Sequence, residues 1–426
     1  MMPGLAILST LIVLYGAVAL RLGRWSISMP MVFVAVGFLL GPGGTGILHV
    51  SPQTEVVKTL TEITLGLLLF ADASTLNLRQ VRADAHLPLR LLTIGLPLTI
   101  GLGTVLAWGL LPAEGLAFAA LLGAILAPTD TALGLPIFNN KAVPVRIRRA
   151  LDVESGLNDG IATPFVTLFL AVAAATEEHA RGGGWLATAL LQIVLAVVVG
   201  TMAGIIGGWL LMQSTRRAWT SGDSEQLAIL GLGLAAYFGA AAVGGNSFIA
   251  AFTCGIVFAA ATRHQFAEPT EFTETLGMIL SLLVWAIFGA VLVPEAFHNT
   301  TDWRPIVYAV LSLTVVRMLP VALALIGTGL RPDTIALMGW FGPRGLVSVV
   351  FTLLAFVRLE QAGQPIDTLE AVATWTILLS VLAHGLSAQP LSAWYARRLK
   401  AAGGKPVELV EPPETRPRHT HPDIVA

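Results

Sequence analysis

A few ionisable residues lie inside long apolar stretches of this 426-residue chain, and their types suit proton and cation chemistry. Asp130 falls in Ala127-Pro128-Thr129-Asp130-Thr131. Glu154 and Asp159 fall in Asp152-Val153-Glu154-Ser155-Gly156-Leu157-Asn158-Asp159-Gly160. Arg344 falls in Gly339-Trp340-Phe341-Gly342-Pro343-Arg344-Gly345. A charge at the centre of a bilayer costs about 2.5–3.5 kcal/mol on insertion scales, so it persists where it serves a purpose. Pro128 removes a backbone donor and clashes with the preceding turn, which frees carbonyls beside the Thr129 hydroxyl. Sodium and its relatives are hard cations that take oxygen ligands, and Asp130 adds a charged one.

Spacing arranges these groups. Glu154 and Asn158 are four apart and share a helix face, and Ser155 and Asp159 form the adjacent stripe. A helix starting near Ala150 carries Asp159 roughly 13 Å inward at 1.5 Å per residue. That is near the middle of a hydrocarbon core of about 30 Å. Arg344 reaches a similar depth, as does Asp130 if its helix unwinds. The economical assignment is a buried Glu154–Arg344 ion pair that fixes the sixth span to the twelfth. Asp130 and Asp159 then remain to trade a cation for a proton, because the two compete for the same oxygens. Asn158 is a candidate ligand, with interhelical hydrogen bonding as the blander reading. Ser155 and Thr129 alone could merely satisfy the backbone of a bent helix. Asp72 and Glu62 are candidate pathway residues on the third span. Arg317, mid-span in the eleventh, reads as a structural partner or a lipid contact. His384 reads as a hydrogen-bonded packing residue, and His49, His264 and His298 as solvated span ends. His419 and His421 are too few for a metal site.

The elements that must position these groups are membrane helices. The chain is 55% hydrophobic and 12% charged, whereas a soluble domain is nearer 25% charged. A net charge of -1 speaks against a nucleic-acid partner. The single cysteine, Cys254, excludes an internal disulfide and a cysteine-based metal site. No cofactor motif is visible. The first apolar run ends at Arg21 and Arg24 without an Ala-x-Ala cleavage site, so it reads as a retained helix. At about 20 apolar residues per span, hydropathy marks thirteen: 5–22, 30–48, 56–75, 88–110, 115–137, 148–175, 186–213, 225–243, 246–262, 273–293, 305–329, 334–357 and 370–395. Loops after odd-numbered spans hold 16 Lys and Arg residues, from Arg21 to Lys400. The opposite loops hold only four, namely Lys58, Arg181, Arg304 and Arg358. This positive-inside bias puts the C-terminus in the cytoplasm and, with an odd count, the N-terminus outside.

The broken segments occupy matching places. Spans one to six (about 5–175) and eight to thirteen (about 225–399) form two halves of opposite orientation within a transmembrane domain covering 1–400. Each half is interrupted in its fifth span, and paired interruptions in inverted halves mark the binding site of a secondary transporter. The tail 401–426, rich in Pro, Glu, Thr and His, reads as disordered and as too short for a nucleotide-binding regulatory domain. An intramembrane aspartyl protease would need Gly-x-Gly-Asp and Tyr-Asp motifs, which do not occur. A channel would need a repeated carbonyl filter, and none is visible.

These residues resemble a family. Ala127-Pro128-Thr129-Asp130, Glu154-Ser155-Gly156-Leu157-Asn158-Asp159, Gly342-Pro343-Arg344-Gly345, and Leu67-Leu68-Leu69-Phe70 followed by Asp72 look like a monovalent cation/proton antiporter of the sodium/hydrogen exchanger superfamily, NhaP-type branch. The resemblance covers the chain to about Lys400. It implies an all-α fold of thirteen helices in two inverted repeats with crossed broken helices. It implies a homodimer in which a core domain moves against a dimerisation domain in the plasma membrane. Asp159 would be the ion- and proton-binding carboxylate, Asp130, Ser155 and Thr129 would complete the site for Na+ or K+, and Glu154 would pair with Arg344. The Asn158-Asp159 form, in place of Asp-Asp, implies electroneutral one-for-one exchange. No enzymatic activity and no cofactor are implied.

Overall fold

A computed structural model describes residues 2–48, 50–51, 53–75, 86–138, 140, 143–175, 184–298, 302–401 and 407–409. The readings made for His49, His419 and His421, and the loop charges Arg79, Arg82, Lys141 and Arg181, lie outside the described residues. The described chain is helical throughout. Its order is α1 Met2–Arg24, α2 Met29–Leu40, α3 Glu55–Thr75, α4 His86–Leu110, α5 Gly115–Ile125, α6 Thr131–Phe138, α7 Val145–Ala173, α8 Gly184–Arg216, α9 Gly222–Ala242 and α10 Ser247–Thr262. There follow α11 Ala267–His298, α12 Arg304–Leu313, α13 Val315–Ala324, α14 Pro332–Trp340, α15 Leu346–Gln361 and α16 Asp367–Ala401. Among the described residues eight helices are long and apolar enough to cross a membrane. The helices fall one for one on the expected spans, with α5/α6, α12/α13 and α14/α15 each sharing a span.

Helix packing carries the inverted repeat. If the second half re-enacts the first, the second and third spans of one half must meet the third and second of the other. They do: α2 packs on α11, α3 packs on α10, and α3 also meets α11. The fourth spans, α4 and α12/α13, touch each other. Small residues make the closest approaches, as expected where no hydrophobic force drives helices together in lipid. A Cβ on Gly37 of α2 would overlap the Ala286 carbonyl, and one on Gly289 of α11 would overlap the Val34 carbonyl. Gly255 of α10 sits in the same way against the Phe70 carbonyl of α3.

Both fifth spans are broken where the sequence places Pro128 and Pro343. Between α5 and α6 residues 126–130 are non-helical, and between α14 and α15 residues 341–345 are. The fourth spans are irregular too, which hydropathy did not disclose. Leu91–Gly95 of α4 makes a π-helical turn, and Thr314, with φ −106° and ψ −86°, separates α12 from α13. The π turn packs against α13.

The tail is a partial correction. Residues 401–426 read as disordered, yet Val407–Leu409 forms a 3-10 turn with Glu408 buried. The physical reason is a set of polar partners on the helix ends beneath it. Residues 402–406 and 410–426 lie outside the described set.

Candidate ion-exchange site

The two breaks cross, and Asp130 is the knot. Its backbone N–H donates to the Pro343 carbonyl at 2.8 Å. Its Oδ1 accepts from the Leu133 amide at 2.8 Å, which caps α6. Its Oδ2 accepts from the Leu346 amide at 2.7 Å, in the first turn of α15. One carboxylate thus faces two helix N-termini, one from each half, where exposed amides and the helix dipoles both favour negative charge. Gly345 is required by this arrangement, because a Cβ there would overlap the Asp130 carboxylate. The other helix ends are also answered. Ser348 donates to the Ile125 carbonyl at 2.8 Å, at the end of α5. His384 Nε2 meets the Trp340 carbonyl at 2.8 Å, at the end of α14. The same ring's Nδ1 lies 2.9 Å from the Ser380 carbonyl, so both of its nitrogens are engaged.

Glu154 pairs with Arg317, which corrects the expected Glu154–Arg344 pair. Arg317 of α13 donates Nη1 to Oε1 at 2.6 Å and Nη2 to Oε2 at 2.9 Å. This fork-to-fork geometry is the strong form of a carboxylate–guanidinium contact. Both partners are buried, at 2% exposure each. Arg344 is wholly buried at 0% exposure and turns elsewhere. Its Nη1 donates to the Gly342 carbonyl at 3.0 Å, and its backbone N–H donates to Ser380 Oγ at 2.6 Å. Its Nε and Nη2 have no hydrogen-bond partner. The reason is backbone geometry. Arg344 sits in the non-helical break, so helix periodicity does not set its direction. Its guanidinium meets a carbonyl of the break itself, that of Gly342. Gly342 leaves room for the true pair, since a Cβ there would overlap the Arg317 guanidinium.

Beside the crossing, α7 presents the rest of the candidate site. The Thr129 and Ser155 hydroxyls are 3.0 Å apart. Asn158 Nδ2 donates to Thr129 Oγ1 at 2.6 Å. Asn158 therefore ties α7 to the first break instead of joining Glu154. Its Oδ1 is buried without a hydrogen-bond partner, and so is Oδ1 of Asp159. Asp72 and Asp130 both lie within electrostatic reach of Asp159. The structure thus gathers Thr129, Asp130, Ser155, Asn158, Asp159 and Asp72 at one place. Glu62 stays apart, where its Oε2 accepts from the Tyr237 hydroxyl of α9 at 3.2 Å. Ten residues separate Glu62 from Asp72 on α3, roughly 15 Å along the axis.

The sequence reading of Arg317 as a structural partner or a lipid contact is met by the first, with Glu154 as the partner the sequence did not name. Ser348 and Ser380 carried no signal in the sequence. Among the described residues no group of three or more His, Cys, Asp or Glu is arranged to hold a tightly ligated metal ion. The buried oxygens can receive a proton or a weakly held monovalent cation.

Comparison with known proteins bears on the fold and the family. The chain is 24% identical over 393 residues to the K(+)/H(+) antiporter NhaP2 of Shewanella sp. (strain ANA-3), covering 90% of this chain and 64% of that one. It therefore spans just under two thirds of that relative's length. It is 26% identical over 335 residues to a Na(+)/H(+) antiporter of Schizosaccharomyces pombe, covering 68% of this chain and 69% of the other. The fold matches the sodium proton antiporter MjNhaP1 from Methanocaldococcus jannaschii at pH 8, with a TM-score of 0.72 and 20% identity over 93% of this chain and 99% of that one. The transmembrane model of the sodium/hydrogen exchanger family matches residues 7–394. The chain belongs to the sodium/hydrogen exchanger family.

Proposed function

We propose that this chain exchanges a monovalent cation for a proton across the membrane by alternating access. The observation that carries the reading is Asp159, a buried carboxylate with an unpartnered oxygen beside the Thr129, Ser155 and Asn158 cluster. A desolvated, unpartnered carboxylate is costly unless something positive binds it. A proton and a small cation are the two species that fit, and only one can be held at a time. Asp159 is the carrier. Thr129, Ser155 and the free Oδ1 of Asn158 supply neutral oxygens, and Asp130 supplies fixed negative charge from the crossing. Asp72 lines the approach from α3. Glu154 and Arg317 neutralise each other and hold α7 to α13 without meeting the cargo.

Sodium is the first choice of cargo and potassium the second. The names of relatives favour both, since a potassium/proton antiporter and a sodium/proton antiporter are each similar to this chain. The charge ledger favours one-for-one exchange. Asp130 is anchored by two amides, and Glu154 is matched by Arg317. With Asp72 placed on the approach, Asp159 is the carboxylate assigned to alternate between proton and cation, and such a cycle moves no net charge. The protein acts as a transporter and not as an enzyme, as a homodimer in the plasma membrane, with the N-terminus outside and the C-terminus in the cytoplasm.

The test is reconstitution. In vesicles clamped at zero membrane potential, an imposed sodium or potassium gradient should drive proton movement, and a series of cations ranks preference. Absence of proton movement with every alkali cation overturns the reading.

A further inference from the structure

The segment beyond the last span adds a second carboxylate to the N-terminus of α14, where Asp333 already accepts from the Thr334 amide at 3.1 Å and from Arg331 Nε at 3.0 Å. Arg331, the residue preceding α14, has extended backbone and no side-chain cap of its own, and Pro332 opens the helix. Glu408 reaches this end from 77 residues away. Its Oε1 accepts from the Arg331 amide at 2.9 Å and from the Thr334 hydroxyl at 2.8 Å. Thr334 in turn lies 2.9 Å from the Tyr395 hydroxyl of α16. Arg146, in the first turn of α7, donates to the Val407 carbonyl at 3.3 Å. Glu408 is 1% exposed, although its neighbours Val407 and Leu409 are 37% and 52% exposed. The acidic side chain is the buried member of the turn, the reverse of what hydrophobic docking would give.

The elements joined here also build the candidate site. Nine residues of α14 span roughly 13 Å, from the Glu408 cap to the break that holds Gly342 and Arg344. The helix α7 runs from Arg146 to Asn158 and Asp159. The helix α16 carries Tyr395 at this end, and Ser380 and His384 at the break. One turn of chain therefore joins the ends of α14 and α7, and Thr334 links α14 onward to α16. A carboxylate at the N-terminus of α14 is favoured by the exposed amides and the dipole there.

We propose that Val407–Leu409 is a clasp on the transport unit, and that Glu408 is a positioning residue for exchange. It acts by fixing α14, and through α14 the crossing at Asp130, relative to α7. The inference rests on the proposed exchange activity for its transport readout, and on the structure alone for its docking readout.

The experiment compares full-length wild type, Glu408→Ala, Glu408→Gln and Arg146→Ala, each reconstituted in vesicles and each followed by hydrogen exchange in detergent. Glu408→Ala should raise the apparent KM for the transported cation about fivefold, the size of effect expected from losing one helix cap. It should also speed exchange of the amides of residues 331 and 333–336. Glu408→Gln retains an acceptor oxygen and should return KM to within about twofold of wild type. Arg146→Ala should fall between the two. If Glu408→Ala does not fold, Glu408→Gln and Arg146→Ala carry the test through their own KM shifts. A fall in maximal rate with unchanged KM shows a purely structural segment and overturns the proposal, as does faster amide exchange with unaltered transport. Wild type that moves no protons defeats the exchange reading, and the hydrogen-exchange arm then decides the clasp. Unchanged protection at 331 and 333–336 in Glu408→Ala overturns it.

Discussion

At the scale of single residues, the chain separates charges that hold from charges that work. Glu154 and Arg317 hold. Removing one partner of a buried pair leaves the other uncompensated, at a cost of about 3–5 kcal/mol. Glu154→Gln and Arg317→Ala should each lower the thermal midpoint of detergent-solubilised protein, and the double variant should lose less than the sum. A strictly additive double variant would show that the two do not pair. Asp159 works. Asp159→Asn should insert normally, keep its thermal midpoint or gain a little, and exchange no faster than protein-free vesicles. Retention of near-normal exchange would remove Asp159 from the role of carrier.

At the scale of elements, the breaks depend on two glycines as much as on two prolines. Gly345→Ala forces a methyl group into the Asp130 carboxylate, and Gly342→Ala forces one into the Arg317 guanidinium. Overpacking a tight site typically costs about 1–3 kcal/mol. Each variant should lose that much stability, and Gly345→Ala should also lose transport because it displaces the cap shared by α6 and α15. Gly16→Ala is the control, since nothing lies within 4 Å of a Cβ there. Its thermal midpoint should stay within the range of about 0.5 kcal/mol typical of surface changes. Equal effects at positions 16 and 345 would mean that the crossing is looser than its hydrogen bonds indicate.

At the scale of the whole molecule, the prediction concerns charge movement. On the proposed one-for-one cycle, with Asp130 anchored and Glu154 paired, one proton would cross one way and one monovalent cation the other. The exchange rate should not respond to an imposed membrane potential, and a solid-supported membrane should register no sustained current. Protons should raise the apparent KM for the cation. The rate should follow a bell in pH, falling at low pH as protons win the site and at high pH as they become scarce. A steady current would mean that a second carboxylate, with Asp72 and Asp130 the nearest, also gives up a proton in each cycle.

The sequence by itself determined the order of the helices and the two breaks that cross. Hydropathy reports burial in lipid, proline reports a lost helical hydrogen bond, and residue count reports distance along an axis. All three are local properties of the chain. The sequence could not decide direction around an axis, so depth placed Arg344 opposite Glu154 where the fold brings Arg317 instead. Arg317 lies on a helix behind a kink at Thr314, and Arg344 lies in unwound backbone, so neither side chain's direction follows from a helical period. The same limit hid the double cap made by Asp130, whose partners are 3 and 216 residues away. It hid the burial of Glu408, whose acidic, proline-flanked surroundings resemble an unfolded tail until Arg331, Thr334 and Arg146 are brought beneath it. Only the tertiary structure decided these pairings, because a buried charge is satisfied by whichever donors the fold places around it in three dimensions, and those donors come from helices that the sequence alone cannot orient.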